Sequence, residues 1–157
     1  MSVTVVTAPE KLPFSMWGIH IFLGGGITGC PNWQADAIEL FRAELGTVDK
    51  AIFLYNPRRP NFDVNDPDAA DEQIRWEFRA LNRSIVMMWF CKETVQPICF
   101  YELGRHLALR PKNVYIGAHP DYPRRRDVVL QSDLAGCPGL VVSSLPALVK
   151  CVVGGIP

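Results

Sequence analysis

Residues 19–26, IHIFLGGG, set the pattern for the rest of the chain. Isoleucine, phenylalanine and leucine are frequent in strands, whereas three successive glycines interrupt one, so a strand is predicted over residues 19–23 with a tight loop after it. Beyond the loop, Asn32 can cap a helix that is predicted to end near Gly46. The apolar residues of this helix recur at helical spacing: Trp33, Ala37, Leu40 and Phe41.

Four further apolar runs of strand length follow, and amphipathic segments separate them. The runs lie at residues 51–55, 85–90, 114–117 and 140–142. Helices are predicted at residues 71–84, 97–110, 128–134 and 145–153, the first with a buried stripe of Ile74, Phe78 and Leu81. Continuous apolar strands alternating with helices are typical of a parallel sheet covered on both faces. We therefore predict a doubly wound, flavodoxin-like α/β fold with five parallel strands, and residues 3–6 as a candidate edge strand.

Length and composition exclude several classes of function. With 157 residues and 48% hydrophobic content, the chain is predicted to form one domain, residues 1–157, around a single core. Its 16 basic and 16 acidic residues balance and are scattered, so a nucleic acid polymer is not expected as a partner. The apolar runs are shorter than the roughly 20 residues of a membrane-spanning helix, and the N-terminus lacks a secretory pattern. We expect a cytoplasmic protein with no membrane partner.

The five cysteines are odd in number, widely spaced and without a CxxC pair. Neither a disulfide framework nor a zinc site is predicted, and the cysteines in apolar runs are interpreted as small buried hydrophobes. The histidines show no spacing typical of a metal site or a catalytic triad. We expect no metal and no cofactor.

Ligands of doubly wound sheets bind beyond the carboxyl ends of the strands. The glycines after the first strand, including Gly24 and Gly25, would let backbone N–H groups approach a ligand closely. Their spacing matches neither GxGxxG nor a P-loop, so no dinucleotide site and no NTP hydrolysis is predicted. A turn that only joins strand to helix is the alternative.

Two carboxyl groups are candidate catalytic residues. Glu102 lies in the first turns of a helix, where the macrodipole is expected to keep it ionised as a nucleophile suited to glycosyl transfer. Glu77 lies between Trp76 and Phe78, and desolvation there would raise its pKa and make it a general acid. The alternatives are a merely favourable helical glutamate at each position, exposed and paired with an arginine in the case of Glu77.

The loop after the second strand adds candidates for substrate binding. Asn56, Arg58 and Asp63 accompany an aromatic residue there, and such a mixture can stack on and hydrogen-bond a planar heterocycle. A long solvated loop has the same composition. Trp33 is a further candidate, with a place in the core as the alternative.

Four motifs together carry a resemblance to a known family. They are IFLGGG at residues 21–26, NPRR at 56–59, the pair Trp76-Glu77, and YELG at 101–104. Over residues 18–118 the chain resembles the nucleoside 2-deoxyribosyltransferase family, most closely its branch with an Asn-Pro-Arg-Arg loop.

The resemblance implies roles for three residues. Glu102 would attack the anomeric carbon of a 2′-deoxynucleoside, and Glu77 would hold or protonate the base. Gln96 stands where some members have an acidic residue that contacts the sugar, so it becomes a substrate-binding candidate. Thr28 without a fuller phosphate-binding set favours nucleosides over nucleotides. The family also implies a homo-oligomer, a dimer or larger, and no cofactor.

The resulting hypothesis is an enzyme that exchanges nucleobases on 2-deoxyribose through a covalent Glu102 intermediate, with a nucleoside and a free nucleobase as its small-molecule partners. A nucleoside or nucleotide N-glycosidase, in which water resolves the intermediate, is one alternative. A nucleotide-sensing module that has lost turnover is another.

Overall fold

The computed structural model of the chain describes residues 3–14, 17–45 and 50–156. Within these ranges, six parallel strands form one sheet with helices on both faces. The strands are β1 Val3–Thr7, β2 Ile19–Gly25, β3 Ile52–Asn56, β4 Ile85–Phe90, β5 Val114–Ala118 and β6 Val141–Val142. The helices are α1 Trp33–Glu44, α2 Pro67–Asn82, α3 Pro97–Leu109, α4 Arg125–Leu134 and α5 Leu145–Gly154, with a 3-10 turn at Pro111–Asn113.

The strand order is β1-β3-β2-β4-β5-β6. Without β1, this is the order of a flavodoxin-like sheet, in which the chain places its second strand on one side of the first and its third on the other. The predicted doubly wound, flavodoxin-like fold is therefore confirmed. The predicted count of five strands was wrong, because β1 pairs with β3 from Val3↔Ile52 to Thr7↔Asn56 and adds an edge strand.

Two cores pack against opposite faces of the sheet. One contains buried residues of α1 and α5, and the other contains buried residues of α2, α3 and α4. Strand β4 contributes side chains to both cores, because Met87 belongs to the first core and Met88 to the second. Neither side chain is exposed. This arrangement explains why the central strands are continuous apolar runs.

The helices α1 and α3 begin where the sequence predicts. Asn32 caps α1 as predicted, its side chain accepting a hydrogen bond from the backbone of Ala35. Pro97 is the first residue of α3, as predicted, and Leu103 and Leu107 face the core. The predicted end of α1 near Gly46 lies outside the described residues.

The buried stripe predicted for α2 was wrong for Ile74 and Phe78 and right for Leu81. Ile74 and Phe78 are 62% and 53% exposed, whereas Trp76, Ala80 and Leu81 are buried. The helix has two neighbouring apolar stripes, and Trp76 decides between them because its indole packs in the core and its N–H donates to the carbonyl of Glu10 at 2.8 Å. The helix also starts at Pro67, four residues before the predicted start, because Asp66 caps it.

Among the described residues, none of the helices has both the length and the hydrophobicity required for a membrane crossing.

Candidate active site

A cavity of about 380 Å³ opens at the carboxyl ends of β2 and β4. Its wall consists of residues 25–28 at the end of β2 and just beyond it, residues 94–99 before and at the start of α3, and the side chains of Phe22, Glu77 and Glu102. The chain leaves β2 and β4 for opposite faces of the sheet, so this is the topological switch point at which such folds bind ligands. The volume falls in the range of small-molecule sites.

A second groove, of about 470 Å³, lies between α3 and α4. Its charged side chains, Arg124 and Asp127, pair with each other at 3.3 Å. We assign the site to the smaller cavity because that cavity alone of the two contains a pair of carboxyl groups.

At Gly25 and Gly26 the backbone itself lines the cavity, without a side chain. A Cβ on Gly25, whose φ is +145°, would lie 2.2 Å from the carbonyl oxygen of Trp89, and a Cβ on Gly26 would lie 2.7 Å from the side chain of Gln96. Neither position therefore has space for a side chain. Gly24, the third candidate of this run, lies within β2 against Met88 and does not line the cavity.

The peptide groups of Gly26 are held from both sides. Gln96 accepts a hydrogen bond from the N–H of Gly26 at 2.9 Å, and the indole N–H of Trp33 donates to the carbonyl of Gly26 at 2.9 Å. The amide nitrogen of Gln96 also donates to the carbonyls of Cys91 at 2.8 Å and Thr94 at 3.0 Å. Gln96 thus lines the cavity while its amide joins the two loops that form the wall, and the buried Trp33 supports the glycine loop from the core.

Glu77 and Glu102 meet in this cavity from different helices. Burial raises the pKa of the Glu77 carboxyl, although a hydrogen bond from Gln73 acts in the opposite direction. Burial and the charge of Glu77 together raise the pKa of Glu102 to about 8. The raised pKa expected for Glu77 is confirmed.

The expectation that the helix terminus keeps Glu102 ionised was wrong. Glu102 is the sixth residue of α3, and no acidic residue lies in the first turn of that helix. The macrodipole acts mainly within the first turn, so burial and repulsion from Glu77 dominate.

Two neighbouring carboxyl groups of this kind titrate as a pair. At neutral pH the Glu77–Glu102 pair is expected to hold one proton, so the site offers one carboxylate and one carboxylic acid. Nucleophilic attack with protonation of a leaving group requires this combination. The described residues contain no group of three or more metal-ligating side chains.

The family model for proteins described as nucleoside 2-deoxyribosyltransferase like matches residues 18–122, about two thirds of the chain. The chain belongs to this family. The matched segment includes every residue of the cavity wall. Membership indicates glycosyl transfer of the nucleoside deoxyribosyltransferase type as the general function. Among curated proteins, no significant match to the chain was found.

In this family member, three further predicted substrate-binding residues lie outside the cavity wall, as Gly24 and Trp33 do. The guanidinium of Arg58 donates to Gln34 at 2.9 Å and to the carbonyl of Pro31 at 2.8 Å, and its pKa is lowered by burial. Asn56 accepts from the backbone of Arg58, and Asp63 accepts from the backbone of its own loop. Their assignment to substrate binding stays a prediction.

The prediction that the cysteines form no disulfide was wrong. Cys30 and Cys91 are bonded, with their Cα atoms 6.5 Å apart and a separation of 61 positions in sequence. Parallel strands bring their carboxyl ends together, and spacing in the sequence does not show this proximity. Cys99 is buried, as expected for a cysteine in an apolar run, and it remains free. The disulfide joins the loop after β2 to the end of β4, beside the cavity.

Sequence reasoning assigned no ligand role to several wall residues, among them Phe22, Thr94 and Cys99. A usable signal existed for Thr94 and Cys99, since both follow the carboxyl end of the strand that the apolar run at residues 85–90 had already located. It also overlooked Gln73, whose spacing of four residues from Glu77 on one helix was visible.

Proposed function

We propose that the chain cleaves the N-glycosidic bond of 2′-deoxynucleosides and transfers the deoxyribosyl group to another nucleobase. The observation that carries the proposal is the carboxyl pair Glu77–Glu102 in one cavity at the switch point of a nucleoside 2-deoxyribosyltransferase-like fold. Glu102 is the nucleophile and Glu77 is the general acid.

In the first half-reaction, a carboxylate oxygen of Glu102 forms a bond to the anomeric carbon as the carbon–nitrogen bond breaks. The electron pair of that bond goes to the base nitrogen, which takes the proton of Glu77. In the second half-reaction, an acceptor base attacks the glycosyl ester and returns its proton to Glu77. One proton held by the pair is sufficient for the whole cycle.

The character of the wall supports a nucleoside as the substrate. Phe22, Val95 and Ile98 provide apolar surface for a planar base, and the exposed backbone of the glycine loop provides hydrogen-bonding groups. The described residues of the wall include no lysine or arginine, and the negative charge of the carboxyl pair would repel a phosphate. Uncharged nucleosides are therefore the better match.

The proposal extends to a homo-oligomer. An apolar strip on α2 and α3 is exposed in the single chain, with Ile74 at 62%, Phe78 at 53%, Ile98 at 66% and Tyr101 at 76%. Large exposed apolar patches often mark protein–protein contact surfaces. Ile98 also belongs to the cavity wall, so a second copy packed on the strip would extend the site.

The decisive experiment incubates the protein with several 2′-deoxynucleosides, with and without a free acceptor base, and follows the products by chromatography. A new deoxynucleoside that forms only with acceptor, and is not formed by Glu102→Ala, supports the transferase. Glu44→Gln, at an exposed position of α1, serves as the matched control and should retain activity.

Other outcomes of the same experiment select the alternatives. Free base and deoxyribose formed without transfer would identify an N-glycosidase. Binding without turnover of any nucleoside or nucleotide would reject the enzyme and favour a sensing module.

A further inference from the structure

Gln73 contacts the candidate active site without being part of the cavity wall. It lies one helical turn before Glu77 on α2, and its amide nitrogen donates to Oε1 of Glu77 at 2.8 Å. The same nitrogen donates to the carbonyl of Pro57 at 2.8 Å. Both N–H groups of the amide are therefore used, one by the loop after β3 and one by the carboxyl group of Glu77.

These contacts determine which way the amide of Gln73 points. Its Oε1 atom is buried and has no hydrogen-bond partner in the part of the chain that the structure describes. Rotating the amide by half a turn would place Oε1 against two acceptors, the carbonyl of Pro57 and the carboxyl of Glu77. An unsatisfied buried carbonyl is unfavourable and calls for an explanation. The orientation that leaves it unsatisfied is the one that presents a donor to Glu77.

The two carboxyl groups of the site are therefore not equivalent. Glu77 accepts a hydrogen bond from Gln73, whereas the carboxyl of Glu102 accepts none within residues 3–14, 17–45 and 50–156. A hydrogen bond donated to a carboxyl favours its charged form. Of the remaining wall residues, Cys99 is the one that titrates, and burial raises its pKa to about 12, so it stays neutral. The loops after β2 and β4 contribute no charged group to the wall.

We propose that Gln73 is a positioning residue that makes Glu77 the charged member of the carboxyl pair and so places the single proton of the pair on Glu102 in the unliganded protein. Its bond to Pro57 fixes the amide on the side of the loop. The carboxyl group of Glu102 is then protonated and neutral, and in this form it cannot attack a substrate.

This inference adds a proton transfer to the proposed function and rests on it for its catalytic meaning. When a nucleoside fills the cavity, the proton moves from the Glu102 carboxyl to the Glu77 carboxylate. Glu102 becomes the nucleophile, and Glu77 holds the proton that the departing base nitrogen takes up. The two changes are coupled, and neither requires an acid from solvent.

Carboxyl-carbon NMR of the protein labelled with ¹³C-glutamate tests the assignment without any substrate. Glu77→Gln and Glu102→Gln identify the two resonances, and pH titration gives their midpoints. In the unsubstituted protein, Glu77 should lose its proton at lower pH than Glu102. The reverse order would overturn the proposal.

Two substitutions of Gln73 sharpen the test. Gln73→Met keeps the length of the side chain and removes the donor, and Gln73→Asn keeps an amide that is too short to reach both partners. Each should move the Glu77 midpoint to higher pH and the Glu102 midpoint to lower pH, while Gln131→Met on the exposed face of α4 should move neither. Unchanged midpoints in a folded Gln73 variant would also overturn the proposal.

Activity separates this proposal from the proposed function. If the protein transfers deoxyribose, the Gln73 variants should raise the pH of the acid limb of kcat/KM, because Glu77 then loses its proton at higher pH. A protein without turnover that keeps the predicted titration order would reject the proposed function and leave the role of Gln73 standing.

Discussion

The carboxyl group of Glu102 links the folding of the chain to pH. Burial and the charge of Glu77 raise its pKa from 4.5 to about 8 in the folded protein, whereas unfolding returns it to its ordinary value. Between these values the folded state binds more protons than the unfolded state. The corresponding stability is fully present below about pH 4.5 and is lost as the pH rises through 8.

Replacement of this carboxyl should remove the pH dependence. We expect Glu102→Gln to match the unsubstituted protein near pH 5 and to exceed it by roughly 2–4 kcal/mol near pH 9, with allowance for the partial exposure of the side chain. Urea unfolding at both pH values measures the difference, and Glu44→Gln is the control. An equal difference at the two pH values would contradict the account of Glu102.

Gly26 and Gly104 form a matched pair of glycines with opposite expectations. A Cβ on Gly26 would lie 2.3 Å from the sulfur of Cys30, whereas a Cβ on Gly104, in α3, would meet nothing within 4 Å. Gly26→Ala should destabilise the protein by about 1–3 kcal/mol, and Gly104→Ala should stabilise it by up to about 1 kcal/mol. Thermal unfolding of both variants tests this, and a neutral Gly26→Ala would show that the loop can move.

The role of a single residue could be predicted from the sequence where it belongs to a motif and also lies at a known position in the fold. Glu77 and Glu102 were singled out from their neighbours in the sequence, and the cavity contains both. The partners of Arg58 and Gln96 were not predictable, because their hydrogen bonds reach Pro31 and Gly26, 27 and 70 residues away. Such contacts depend on how the loops pack against each other, and the periodicity of apolar residues in the sequence does not predict loop packing.

Among the elements, strands buried on both faces were located best. The apolar run at 85–90 coincides with β4, and the other predicted strands agree within one or two residues. β1 was left as a candidate because an edge strand buries little, and only Val6 of its five residues is buried. The helix α2 shows the limit of the pattern, since its spacing fits two stripes and only the packing of Trp76 selects one.

The exposed stripe of α2 should be covered in an oligomer. Ile74 is 62% exposed and lies one helical turn before Phe78. The guanidinium of Arg105, on α3, stacks over the Phe78 ring, with its Cζ atom 4.6 Å from the ring centroid. We expect Ile74→Asp to shift the protein toward a monomer, because a carboxylate in an apolar interface is desolvated without a partner. Analytical ultracentrifugation measures the shift, with Leu134→Asp on α4, at an 83% exposed position, as the control. A monomeric unsubstituted protein at micromolar concentration would reject the interface.

Across the whole molecule, the Cys30–Cys91 bond closes a loop that contains α1, β3, α2 and β4. Reduction by a dithiol should lower the free energy of unfolding by about 2–4 kcal/mol, since the unfolded chain regains the freedom of that loop. Urea unfolding with and without the dithiol measures the loss. The double variant Cys30→Ser/Cys91→Ser should not respond to the dithiol, and Cys151→Ser, at an exposed free cysteine, should respond as the unsubstituted protein does.

The same bond has a consequence for anyone who prepares the protein. Cytosolic thiol buffers keep most cysteines reduced, whereas oxygenated buffers oxidise a close pair. One sequence therefore yields an oxidised and a reduced form, which differ in mass by two hydrogen atoms. In the oxidised form the disulfide joins the glycine loop to the end of β4. In the reduced form the loop is held by its hydrogen bonds to Gln96 and Trp33, without the disulfide. If the proposed function holds, a batch that contains both forms would bind a nucleoside with two affinities. Intact-protein mass spectrometry before each assay shows whether two measured affinities come from a mixture of the two forms.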